Sequence, residues 1–315
     1  MTTDLPSLPP RDPAGHKGTF GTVSVIGGSA GDPRMIGAPA LVARGALRTG
    51  AGLAKLVMPA PVLDAGLVVE PSATGRALPT DASGRVVPHE AAAVIDDAAD
   101  TSECVVVGPG LGGGAEVESL ALRVIGREGC PVVIDADAIN ALARVPDLSR
   151  ELRARAVFTP HPGEFRRLAE SVKVRAPGTD ASSRTEAGGE LARRLGAIVV
   201  LKGAGTVVSD GQRSWTCPTG HACLATAGTG DVLSGVIAGL VAQFVAPPPP
   251  AGLPESVRER VPVPPGRPLS LYDAARVAVW AHGRAGELWA ERHAPGGLLA
   301  RELADLIPAA LGERR

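Results

Sequence analysis

Aromatic residues make up only 3% of this 315-residue chain: three Trp, one Tyr and four Phe. A surface for stacking unpaired bases needs more of them. Neither sign of charge predominates, with 32 Lys and Arg against 33 Asp and Glu and a formal net charge of -1. That balance gives no electrostatic reason to expect a nucleic acid or an anionic membrane as partner. Cysteine is scarce too. Cys104, Cys130, Cys217 and Cys223 form no C-x-x-C pair and show no histidine spacing suited to zinc, so reduced, buried thiols are expected. No apolar run is a convincing membrane span, and the opening MTTDLPSLPPRDPAG lacks the apolar stretch of a signal peptide. The expected ligand is therefore a small molecule and the expected location the cytoplasm.

Short apolar runs, by contrast, are plentiful and alternate with longer helical patterns. This is the signature of repeated βαβ units around a mainly parallel sheet. Strands are expected at 22–27, 53–58, 104–108, 132–135, 156–159 and 198–202, apolar on both faces as a sheet covered by helices requires. Helices are expected at about 36–49, 90–99, 117–128, 164–170, 185–195, 232–245 and 272–291. GTVVSDGQRSWTCP predicts a hairpin turning at 209–212. Proline collects in two places, a leader at 1–14 and the stretch 246–268, neither suited to a helix or central strand. The expected organisation is a flexible leader at 1–14 and one domain at 15–315, with 246–268 as a surface excursion. The two helical stretches that follow the excursion are too little for a core of their own.

Chemistry concentrates in ATAGTGDVLSGVIAGLVAQ, residues 225–243. Gly228, Thr229 and Gly230 leave backbone N–H groups open at the start of a helix, a ready anion site. A carboxylate at Asp231 would repel a bound phosphate unless it took a proton from an attacking hydroxyl. The other reading of Asp231 is an ordinary helix N-cap. Further clusters close the expected strands, where ligands of open α/β sheets bind. GPGLGGG, 108–114, satisfies G-x-G-x-x-G through Gly108, Gly110 and Gly113, with Asp135 downstream to hold a ribose. A dinucleotide-binding reading would leave TPHPGE, KGAGT and GTGD without a purpose. In TPHPGE, His161 and Glu164 either serve a ligand or simply start a helix. Lys202, emerging from IVVL beside Gly203, Ala204, Gly205 and Thr206, suits a phosphate, with a snorkelling surface lysine as the alternative.

Taken in order, HKGTFGTVSVIGGSAG, the 35–52 stretch ending RTGAGL, VVVGPGLG, VIDADAINAL, FTPHPGEF, VVLKGAGTVV and ATAGTGDVLSGVIAGL resemble the ADP- or ATP-dependent NAD(P)H-hydrate dehydratases, over about 16–306. The resemblance implies a ribokinase-like three-layer α/β/α fold and repair of the S epimer of hydrated NADH or NADPH. Bacterial members of this kind generally use ADP, releasing AMP and phosphate, with ATP as the other donor and Mg2+ as the expected metal. It also implies Asp231 as base, Gly228, Thr229 and Gly230 as anion hole, and Lys202, Gly203, Ala204, Gly205, Thr206 and Gly230 at the nucleotide. Ala38, Gly112, His161 and Asp231 would line the hydrate site, and Glu164 would reach the metal through water. A homo-oligomer, a homotetramer in particular, is expected on the same ground. The epimerase domain that precedes some relatives is not expected here. The chain departs from the family at PTGHACLAT, 218–226, and at Glu70-Pro71-Ser72-Ala73. A vitamin or sugar kinase of the same fold and a nucleotide sensor without turnover are the rival readings.

Overall fold

Valine-rich runs without a polar interruption make the middle of a sheet, because β-branched side chains pack well on a pleated surface covered on both faces. The computed structural model describes residues 4–178, 180–247 and 266–314. In it β1 (Thr22–Ile26), β4 (Cys104–Val107), β5 (Val132–Ile134), β6 (Ala156–Phe158) and β7 (Ile198–Leu201) are buried along their whole length. On one side of β1 lie β2 (Leu53–Pro59) and β3 (Thr74–Leu78), and the hairpin β8 (Val207–Ser209) and β9 (Ser214–Thr216) extends the other edge. The order is β3-β2-β1-β4-β5-β6-β7-β8-β9, parallel through β7 and antiparallel in the last two pairings.

Alternation along the strands divides the core into two layers. Cys104 and Val106 face a cluster that includes α1 (Gly37–Thr49), α9 (Thr229–Phe244), α10 (Leu271–Ala290) and α11 (Ala300–Gly312). Val105 and Val107 face α3 (Pro88–Asp100), α4 (Ala115–Ile125), α5 (Ala136–Leu142), α6 (Leu148–Glu151), α7 (Pro162–Ser171) and α8 (Ala181–Leu195). The architecture is the expected ribokinase-like α/β/α sandwich. Helices α1 and α9 meet through glycine: a Cβ on Gly235 would lie 2.1 Å from the Val42 carbonyl oxygen.

Several elements differ from expectation. β3 and α2 (Ala60–Val69) fill a stretch that carried no prediction. α9 starts three residues before the expected 232, at Thr229, so Gly230 and Asp231 belong to its first turn. The described part of the leader touches the core at Leu5 and Leu8. Leu5 and Leu8 are buried, the Leu8 N–H donates to the Arg314 carbonyl at 2.9 Å, and Arg314 reaches the Leu5 carbonyl. Most of the excursion at 246–268 falls outside the described residues. Its flanks meet, Val245 bridging Pro268 and Leu269.

Candidate active site

Three parallel strands end beside one another, and each delivers a polar group to the same place. Asp135 follows β5, Thr159 follows β6 and Lys202 follows β7. The Lys202 Nζ stands 2.8 Å from Asp135 Oδ1 and 3.8 Å from Glu164 Oε2. Asp135 is 1% exposed, and its other oxygen accepts from Ser234 Oγ at 2.7 Å. Burial alone would raise the Asp135 carboxyl, but the Lys202 ammonium and hydrogen bonds from Lys202, Ser234 and Thr159 hold it below its ordinary value. Burial likewise disfavours the Lys202 charge, and Asp135 and Glu164 outweigh it, so the ammonium persists. The surface-lysine reading is therefore ruled out. Lys202 is an anchored cation whose Nζ lies 3.5 Å from where a Gly230 Cβ would be.

Gly228, with φ 87°, is the N-cap of α9, a backbone that favours glycine. Its turn is tied down by Thr229 Oγ1, which donates to the carbonyls of Leu224 and Thr226 at 2.8 and 2.9 Å. Asp231 stands in the first helical turn and makes no capping bond, so the N-cap reading of this residue does not hold. Burial is the chief cause that pushes its carboxyl up to about 7, helped by Asp135, Asp137 and Glu164 and opposed by Lys202. Such a group is poised to exchange a proton near neutrality.

Sequence reasoning missed His282, a lone histidine within the long helix α10. Its Nε2 lies 2.8 Å from the Thr229 carbonyl oxygen. A carbonyl only accepts, so Nε2 carries the hydrogen, and burial keeps the ring neutral by lowering it to about 4. Because a trans peptide sets its C=O and N–H in opposite directions, this bond steadies the plane that carries the Gly230 N–H.

His161 and Glu164 form the expected helix start. His161 Nδ1 accepts from the Gly163 and Glu164 N–H groups at 2.9 and 3.3 Å, and Glu164 Oε2 accepts the His161 N–H at 2.8 Å. The capping does not exhaust them, since Glu164 also faces Lys202 and the His161 ring is exposed at the mouth of a cavity. That cavity, about 740 Å³, has Lys202, Gly203, Ala204, Gly205, Thr206 and Gly230 on its polar side and Leu224, Leu233 and Val279 on its apolar side. The departing segment 218–226 supplies another part of the wall through Pro218 and His221.

A second cleft of about 340 Å³ opens beside Ser29, Met35, Gly112 and Gly113. Ala38 borders the same loop, 3.4 Å from where a Gly110 Cβ would sit, and the Gly112 N–H donates to Asp137 Oδ2 at 2.8 Å. Packing and backbone conformation explain Gly108 and Gly110 of the G-x-G-x-x-G pattern, but not Gly113. A Cβ on Gly108 would lie 1.8 Å from the Asp135 carbonyl oxygen. The Asp135 carboxylate, held by Lys202 and Ser234, has no oxygen left over for a ribose.

A mainly parallel sheet sandwiched by helices, with an anchored lysine and a glycine turn at the strand ends, defines a ribokinase-like α/β protein. The family model described as NAD(P)H-hydrate dehydratase matches residues 23–309. The chain belongs to the NAD(P)H-hydrate dehydratase family. It is 33% identical over 318 residues to the bifunctional NAD(P)H-hydrate repair enzyme Nnr of Salinibacter ruber, covering 97% of this chain and 51% of that protein. This chain thus spans about half the length of the bifunctional relatives it matches. It is 32% identical over 308 residues to the ADP-dependent (S)-NAD(P)H-hydrate dehydratase of Bacillus subtilis, covering 96% of this chain and 93% of that one. The crystal structure of the ADP/ATP-dependent NAD(P)H-hydrate dehydratase of Bacillus subtilis, co-crystallized with ATP and Mg2+, superposes with a TM-score of 0.73 at 28% identity, covering 99% of this chain and all of that one. A ribokinase-like superfamily protein from Enterococcus faecalis shares the fold with a TM-score of 0.73 at 21% identity. Among the described residues no helix is long and apolar enough to cross a membrane.

Proposed function

We propose that this protein restores NADH and NADPH from the S epimer of their hydrates, using ADP as phosphoryl donor and releasing AMP and phosphate. The observation that carries the reading is Asp231: a carboxylate raised to about 7, free of capping duty, beside the open amides at the start of α9. Asp231 takes the proton of the ring hydroxyl as its oxygen attacks the terminal phosphorus of the donor. The amides of Gly228 and Gly230 face the charge that develops on the transferring group, while the Thr229 N–H, expected beside them, donates to the Thr226 carbonyl at 3.4 Å. Phosphate is a far better leaving group than hydroxide; the neighbouring ring nitrogen helps expel it, and loss of a proton from the adjacent ring carbon to water then forms the double bond of the reduced cofactor. Lys202 and the 203–206 loop hold the donor phosphates, with the base against Leu224, Leu233 and Val279. Ala38, Gly112 and His161 border the hydrated ring.

Magnesium suits this donor set in one particular way. Asp135, Glu164 and Asp231 put three carboxyl groups around one ammonium, yet Asp135 and Glu164 are already engaged by protein donors. No group of three ligating side chains stands ready for an ion among the described residues. A hydrated Mg2+ carried on nucleotide phosphates, with Glu164 reaching it through water, fits these groups. Bound there, it neutralises phosphate charge.

The test is purified protein with hydrated cofactor and either ADP or ATP, following return of the dihydropyridine absorbance together with AMP and phosphate. ADP is expected to give the larger kcat/KM at matched magnesium. A larger value with ATP overturns the donor assignment, and accumulation of a stable phosphorylated alcohol overturns the dehydratase in favour of a kinase.

A further inference from the structure

A third cleft, about 780 Å³, lies beyond the Gly112–Gly114 loop and shares no lining residue with the cavity beside Lys202. It is large enough for a nucleotide-sized group. Two contacts connect it to the reacting end of the site. Asp137, on its wall, accepts the Gly112 N–H and its charge is felt at Asp231. Arg167, on the opposite wall, is close enough for its charge to lower His161.

The lining is unusual in its chemistry. Arg144 makes no side-chain hydrogen bond or ion pair among the described residues, and Arg167 donates only to the neutral Asn140 Oδ1, at 2.8 Å. Neither guanidinium forms an ion pair among the described residues, although the Arg167 charge is felt at Glu164. The Asn140 side chain is also hydrogen-bonded to Asp137, so Arg167, Asn140, Asp137 and Gly112 form one polar floor. Guanidinium groups match phosphate oxygens, while the carboxylates of Asp137 and Glu170 accept from hydroxyls. The only apolar side chains on the wall are those of Ala141 and Ala143, a poor seat for a base. Phosphates and sugar hydroxyls, together, are what this wall complements.

We propose that the cleft between the Gly112–Gly114 loop and Arg144 and Arg167 holds the sugar-phosphate portion of the hydrated dinucleotide, with the two arginines as its phosphate contacts. The assignment rests on the substrate being a hydrated dinucleotide, as argued above. It places the substrate's long axis across the loop, away from the adenine nucleotide, with its ring at Asp231 and its phosphates at the arginines. Gly113 marks the path: a Cβ added there meets nothing within 4 Å.

The experiment measures kcat and KM for both hydrates, and KM for ADP, in Arg144→Gln, Arg167→Gln and the double variant beside the wild type. The double variant is expected to raise KM for the hydrates about tenfold or more, with kcat and the KM for ADP unchanged, since hydrogen bonds to charged groups are typically worth about 1.5 to 3 kcal/mol. Equal loss for both hydrates assigns the shared pyrophosphate, and loss confined to the NADPH hydrate assigns the 2′-phosphate. Gly113→Leu, which intrudes without clashing, is expected to raise the same KM while leaving thermal unfolding unmoved. Unchanged KM for both hydrates in the double variant overturns the proposal. If the wild type restores neither cofactor, the functional reading has failed on its own. Titration with NADPH then tests the cleft directly: weaker binding in the double variant supports it, and equal binding or none in the wild type overturns it.

Discussion

Lys202 joins two roles that its sequence neighbourhood presents as one. It faces the cavity proposed for the nucleotide, and it also neutralises Asp135, a carboxylate only 1% exposed. Removing one partner of a buried pair strands the other charge, typically at about 3 to 5 kcal/mol. Lys202→Met should therefore lose both stability and ADP affinity. The double variant Lys202→Met/Asp135→Asn should recover stability without recovering affinity, as read by chemical denaturation and ADP titration. Full stability in the single variant would show that the pair matters less than its burial implies. The sign with pH follows from Asp135 being held low: its contribution is present at neutral pH and fades as acid takes the group below the ordinary carboxylate range. Gly228 to Asp231, His161 and Lys202 were legible in the sequence because glycine turns and strand ends are local patterns. The Asp135 to Lys202 contact was not, since parallel pairing brings together residues 67 positions apart. His282 gave no signal at all, being the single histidine of a long amphipathic helix with no glycine turn or strand end beside it.

Among the elements, α9 matters most, because its first turn carries the glycine cradle and its body is fixed by close contact with α1. Gly235 and Gly239 leave no room there: a Cβ would sit 2.1 Å from the Val42 carbonyl oxygen and 1.9 Å from Thr49 Oγ1. Overpacking a well-filled contact typically costs about 1 to 3 kcal/mol. Gly235→Ala should lower the denaturation midpoint accordingly and weaken ADP binding, because α9 must shift to accept the methyl group. An unchanged midpoint would mean that the helices yield without strain. Most helices and every central strand were readable from periodicity. β3 was not, because as an edge strand its TGRAL exposes four of five residues and shows no apolar run. α2 was missed for the opposite reason: APVLDAGLVV is apolar nearly throughout, with too little polar alternation to mark a face. Leu5 and Leu8, lone apolar residues among prolines, gave no hint that they pack against the core.

For the whole molecule, the topology explains why the chemistry sits where it does. The chain winds outward from β1 to β3, then returns to place β4 on the other side of β1, so the carboxyl ends of β1 and β4 diverge. Their loops form the Gly112 side of the site, while the ends of β5 to β7 with α9 form the Lys202 side. The fold class was legible in the βαβ alternation, whereas the strand order was not, because crossover connections leave neighbours unspecified. The central claim is that Asp231 is the base at the junction of these two sides. Its raised value means that ionisation opposes folding as pH climbs from about 4 to 7, so Asp231→Asn should be at least as stable as the wild type at pH 8. The decisive measurement is single-turnover formation of reduced cofactor from its hydrate at saturating ADP, in wild type and Asp231→Asn, across pH. The wild-type rate should rise with pH through about 7, and the variant, folded and still binding ADP, should be slower by roughly 10² to 10⁴-fold without that rise. Near-normal chemistry in a folded, ADP-binding Asp231→Asn would contradict the account.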